Sequence, residues 1–170
     1  MLSACSDLRH IGANRRTMSR AFVKEVEPEI DDLPDRPVSV HPNLVTAEGL
    51  AAIERTLSRF EAANKAAVAK NDRTAIAATR LELRYWNARR SSATVVEPTA
   101  DKSEVHFGAT VTVQRDDGRA QTFHIVGEDE AEPARGSISY VSPLARAVLG
   151  GKVGDTVEVP GGDATIMKIE

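Results

Sequence analysis

The chain has 170 residues, 41% of them hydrophobic and 28% charged, enough for one medium domain or two small ones with a usable core. A net charge of −3 and a pI near 5.9 exclude a molecule that holds polyanions by its overall charge, and 4% aromatics argues against a base-stacking nucleic-acid reader. The one cysteine, Cys5, excludes an internal disulfide, a paired-thiol redox motif and a cysteine-rich zinc site.

Residues 1–43 read as a disordered or extended tail. Arg9, Arg15, Arg16 and Arg20 make its first part basic. Glu25, Glu27, Glu29, Asp31, Asp32 and Asp35 then alternate with Pro28, Pro34, Pro37 and Pro42, a density of charge and proline that opposes both helix and burial. "MLSAC" has the look of a lipoprotein cleavage box, but the four residues before Cys5 leave no room for the charged and apolar regions such a signal needs. Met18, opening "MSRAFVKE", offers an alternative start. No apolar run approaches the roughly 18 residues of a membrane span, and the expected location is the cytoplasm.

Residues 44–96 read as an antiparallel helical hairpin. Thr46 is a good N-cap, with Glu48 in the first turn where the helix dipole favours a negative charge. Leu50, Ile53, Leu57, Phe60, Asn64 and Ala67 then recur at spacings of three and four. Asn71, Asp72 and Arg73 interrupt the pattern and form the expected tip. A second helix follows, with Ile76, Leu83 and Trp86 on one face and Leu81, Tyr85 and Ala88 on an adjoining one.

Residues 97–104 read as a linker around Pro98. Beyond it the hydrophobic period changes to two. "ATVTVQR", a turn at Asp116–Gly118 and "QTFHIVG" predict a β-hairpin, and "SISYV" a further strand. "SPLARAVLG" predicts one short helix, with Ser142 as cap, Pro143 at its first position and Gly150 past its end. "DTVEV" and "ATIMKI" complete what should be an antiparallel sheet in residues 105–170. Helices first and strands afterwards make the class α+β, in two parts.

Chemistry is sparse. There is no phosphate-cradling glycine loop, zinc spacing or nucleophile elbow. His10, His41, His106 and His124 are scattered, and Ser142 has no base partner. Glu128, Asp129, Glu130 and Glu132 offer the oxygens a hard cation takes, but without the glycine and spaced acids of a calcium loop, so a solvated charge run is expected. Arg84, Arg89 and Arg90 suggest a basic stripe on the second helix, a candidate nucleic-acid-facing surface whose bland alternative is simple solvation.

Taken together, "VHFGATVTVQRDDGRAQTFHIVGEDEA" and "ISYVSPLARAVLGGKVGDTVEV" closely resemble the C-terminal domain of the bacterial transcription elongation factors GreA and GreB. The linked pieces are the FG before the first strand, Ile125–Ala131, Ser142–Arg146 and Val153–Asp155. Upstream, "LVTAEGL" and "LRYWNARRSSATVV" are similar to the start and end of that family's coiled coil. The resemblance implies an FKBP-like β-sheet domain that docks at the rim of the RNA polymerase secondary channel, with Ser142, Pro143, Leu144 and Arg146 as docking candidates. It also implies a coiled coil that enters the channel, whose acidic tip helps the polymerase hold a catalytic Mg²⁺. Such a chain is not itself an enzyme, and it carries no cofactor or metal of its own.

Two departures qualify the resemblance. The family tip uses two acids, whereas here Asp72-Arg73-Thr74 is followed by Ala75, Ile76, Ala77 and Ala78, and the hairpin is shorter than the family's. Transcript-cleavage stimulation is therefore expected to be weak or absent. Val141 stands where the family often has Asp or Asn before Ser-Pro. An alternative is a relative of Rnk, the regulator of nucleoside diphosphate kinase, which pairs a similar domain with a short coiled coil. A prolyl isomerase is a remoter one, for which the domain offers only Phe107, Phe123 and Tyr140.

Overall fold

The computed structural model describes residues 34–170. Cys5, the basic tail and most of the acidic proline-rich stretch lie outside the described residues. The described chain begins with an extended segment and a two-residue strand, β1 (Leu44–Val45), followed by α1 (Ala47–Ala69), α2 (Arg73–Ser92) and β2 (Thr94–Val95). β1 and β2 pair in parallel, so the hairpin is closed at its base by its own entry and exit. Pairs of two residues carry too little pattern to be read from the sequence.

Thr46 caps α1 by accepting from Gly49 N at 2.9 Å. The expected seam is buried at Ile53, Leu57 and Ala67, while Phe60 and Asn64 are half-buried. Asn64 meets a polar partner across the hairpin, its Oδ1 lying 3.0 Å from Thr79 Oγ1. A single polar pair of this kind fixes register between helices. The hairpin core is small, built on Val45, Ile53 and Leu57, with Leu50, Leu83, Trp86 and Ala93 packed around them.

The second part is a five-stranded curled sheet in the order β5-β4-β3-β7-β6, made of β3 (Thr110–Arg115), β4 (Ala120–Val126), β5 (Ser137–Ser139), β6 (Thr156–Val159) and β7 (Gly162–Ile169). The expected hairpin is β3–β4. Gly118 closes its turn at φ 80°, left-handed backbone that glycine adopts without strain. Alternation places Val111 and Val113 inward, against Ile125, Ile138, Ala145, Val148 and Ile166. The short helix α3 (Pro143–Val148) closes the sheet, with Ser142 Oγ accepting from Ala145 N at 3.2 Å.

The sheet is mixed rather than antiparallel, because β5 runs parallel to β4, in register His124↔Ser137 to Val126↔Ser139. Two 3₁₀ turns, Glu128–Glu130 and Pro133–Arg135, carry the chain back to the level of His124 in β4 instead of reversing it tightly. That return path is also where the acidic run is put to use.

Candidate functional site

The hairpin tip is built entirely by helix-termination chemistry. Asn71 has φ 53°, a left-handed position that Asn tolerates better than most residues. With it, Asn71 N bonds to Val68 O at 3.0 Å and Asp72 N to Ala67 O at 3.0 Å, the paired bonds of a Schellman ending. Asp72 is at once the N-cap of α2, its Oδ1 accepting from Ala75 N at 3.0 Å. Asn71, Asp72 and Arg73 are exposed at this turn. Its one carboxylate has a structural task. It lies about 35 Å along α1 from the hairpin base, at 1.5 Å per residue.

At the opposite end, charged side chains are buried between the two parts. Arg89, 1% exposed, pairs through Nε with Asp129 Oδ2, and its NH2 lies 3.7 Å from Glu128 Oε2. Tyr85 donates to Asp129 Oδ1 at 2.7 Å. Burial, and after it this bond to a carboxylate, push the Tyr85 hydroxyl pKa up to about 12. Glu130 binds the start of α1, accepting from Thr46 N at 2.9 Å and from Thr46 Oγ1 at 2.6 Å. A carboxylate there also meets the positive end of the helix dipole. Close approach depends on two glycines: a Cβ on Gly49 would lie 1.9 Å from the Glu130 carboxyl carbon, and one on Gly127 would lie 2.5 Å from Leu44 O.

Two sequence expectations change accordingly. The acidic run is not simply solvated, since Glu128, Asp129 and Glu130 are partly or largely buried and engaged, while Glu132 is exposed beside Arg135. Among the described residues no group of three or more His, Cys, Asp or Glu is arranged to hold a metal ion. Nor do the three arginines form one exposed stripe. Arg89 is buried, while Arg84 pairs with Asp35 at 2.6 Å and Arg90 with Glu54 at 3.2 Å. The available signal was an acid triplet one residue after a strand with a buried end, opposite a Tyr and an Arg spaced four apart on one helix face.

The docking candidates lie together around α3. Ser142 is its cap, Pro143 is exposed at its first position, Leu144 packs against the sheet core and Arg146 is exposed. Arg146 is engaged by the extended segment, its NH2 lying 3.2 Å from His41 Nε2. Tyr140 donates to Pro42 O close by, and its ring meets Phe107 edge-on with centroids 5.8 Å apart.

The class these features define is a two-part α+β protein, a helical hairpin held at its base by buried ion pairs to a small mixed-sheet domain. The family model for the C-terminal region of the transcription elongation factors GreA and GreB matches residues 100–170. GreB of Neisseria meningitidis serogroup B is 46% identical over 77 residues, covering 44% of this chain and 47% of that protein. GreA of Desulfovibrio desulfuricans is 41% identical over 87 residues, 49% of this chain and 54% of that protein. The C-terminal region of the chain is therefore similar to that of the GreA and GreB elongation factors. The chain spans about half the length of the curated relatives it matches. Among solved structures, the match to GreA factor homolog 1 of Thermus thermophilus covers 76% of this chain and 99% of that one at 19% identity, with a TM-score of 0.36. Among the described residues no helix is long and apolar enough to cross a membrane.

Proposed function

We propose that the chain is a cytoplasmic regulator of transcription elongation that binds bacterial RNA polymerase. In this reading an FKBP-like C-terminal domain docks through the α3 surface, the hairpin enters the secondary channel, and transcript cleavage is stimulated weakly or not at all. The chain supplies no active site of its own. The similarity of residues 100–170 to the C-terminal region of GreA and GreB supports the partner.

The geometry of Asp72 carries the second part. A factor that helps hold a catalytic metal must present free carboxylate oxygens at its tip. Here the tip offers one acid, whose Oδ1 already caps α2, and its exposed neighbours Lys70 and Arg73 are cations that repel Mg²⁺. Occupancy of the channel, rather than chemistry at the tip, is then the mode of action.

The test is RNA cleavage by a backtracked polymerase with the wild-type chain and with Asp72→Asn, which retains a capping oxygen but loses the charge. Both should leave the intrinsic cleavage rate within about twofold, while the chain competes with a cleavage-active relative for the polymerase. Strong stimulation that Asp72→Asn abolishes would overturn the proposal. The shortness of the hairpin, with helices of 23 and 20 residues, favours a second reading, an Rnk-type regulator of nucleoside diphosphate kinase. Capture of the kinase but not the polymerase by the purified chain would establish that alternative.

A further inference from the structure

The extended segment before β1 touches both parts of the molecule. At its far end Asp35 pairs with Arg84 at 2.6 Å, and the Arg36 guanidinium lies over the Tyr85 ring, 3.8 Å from its centroid and 5.7 Å from that of Trp86. Arg36 also lies 3.7 Å from Glu82. At its near end His41 meets Arg146, Pro42 O accepts from Tyr140, and buried Asn43 donates to Arg89 O at 2.6 Å. The middle contributes little burial, since Val38 is 42% and Val40 95% exposed.

We propose that residues 35–43 are an intramolecular strap that engages Arg146 at the edge of the α3 surface, so that docking through Arg146 requires its contact with His41 to be released. The inference rests on the α3 surface being the docking face. Its physical basis is the contrast between the two halves of the segment. Asn43 and β1 are buried and form a fixed anchor. Residues 35–42 are held by exposed ion pairs, a cation–π contact and single hydrogen bonds, each weak and none backed by an apolar core. Segments of that kind occupy the low-stability end of local opening equilibria. A binding partner that needs Arg146 competes with His41 for it, and its apparent affinity is reduced by the fraction of open molecules. A strap closed about 90% of the time weakens docking about tenfold.

The experiment uses the full chain with Arg36→Ala and His41→Ala combined, and His41→Ala alone as the milder variant. A nitroxide placed by Val40→Cys in a Cys5→Ser background reports the strap directly, because Val40 is exposed and Cys5 is the one native cysteine. The parent should give a slow-motion spectrum and the double variant a fast one, with RNA polymerase bound about three- to tenfold more tightly by the double variant and by an intermediate amount by His41→Ala. An unchanged spectrum, or a mobile strap with unchanged or weaker polymerase affinity, would overturn the strap as a competitor for docking. If the strap loosens but neither chain binds polymerase, the latch stands and the assignment of the partner fails.

Discussion

Tyr85 shows what one residue does when two sequence features meet. Periodicity places it on a side face of the second helix, and composition places Asp129 in a solvated acidic loop. Neither reading links them. In the fold the hydroxyl donates to Asp129, and its pKa rises to about 12, from burial first and the carboxylate second. In the unfolded chain Tyr titrates near 10. Below about pH 10 both states keep the proton and the bond contributes fully. Between about 10 and 12 the unfolded state alone loses it, so stability falls as pH rises. Tyr85→Phe should be less stable by about 1.5–3 kcal/mol at pH 8, the range for a hydrogen bond to a charged group. The gap should narrow above pH 10, as read from urea midpoints. Parallel curves through pH 11 would show that Asp129 does not hold this proton.

At the scale of the element, the helical hairpin was the most legible part of the chain, because a seam of spacings three and four and a polar break are both local signals. Ile53, Leu57 and Ala67 are buried as that seam requires. What the seam does not reveal is how the break is made. Asn71 supplies the left-handed residue and Asp72 the cap, so these residue types are explained without catalysis. Replacing Asp72 by Ala should cost about 1 kcal/mol, while Ser at the same position, keeping an acceptor, should cost only a few tenths. Thermal unfolding followed at 222 nm separates the two; equal losses would mean that the charge, not the cap, is what the hairpin uses. The sheet was legible for the same reason wherever strands are joined by short turns. The parallel β4–β5 pair was not, since it is set by the return path through two 3₁₀ turns and leaves no periodic trace in a three-residue strand.

Across the whole molecule the two hydrophobic cores are separate, one in the sheet and a smaller one at the hairpin base, and the buried ion cluster lies between them. Neither the composition nor the period of either half carries that link, because it joins residues 39 or more positions apart. The sheet domain has an apolar interior of its own, whereas the hairpin rests on three aliphatic residues and on neighbours only partly covered. In proteins most helical stability comes from tertiary packing of one face, so a hairpin with so small a core depends on further tertiary contacts. Removing one partner of a buried pair leaves the other charge uncompensated, at a cost of roughly 3–5 kcal/mol, whereas replacing both by apolar residues of similar volume recovers much of it. Arg89→Met should therefore split urea unfolding into two steps. Helical signal should go first, with the sheet domain unfolding near its original midpoint. Arg89→Met combined with Asp129→Leu should narrow the gap between the steps without closing it, because Glu128 then lacks its cation and the Tyr85 hydroxyl its acceptor. The alternative is a hairpin that folds on its own core and is merely tethered, for which Arg89→Met would shift a single transition by less than about 1 kcal/mol, as a surface pair does. Burial of Arg89 at 1% exposure against two carboxylates and the far end of Asn43 argues for the first outcome. A hairpin that owes its stability to the ion cluster at its base also owes it its direction, and that direction decides where Asp72 points relative to the sheet domain.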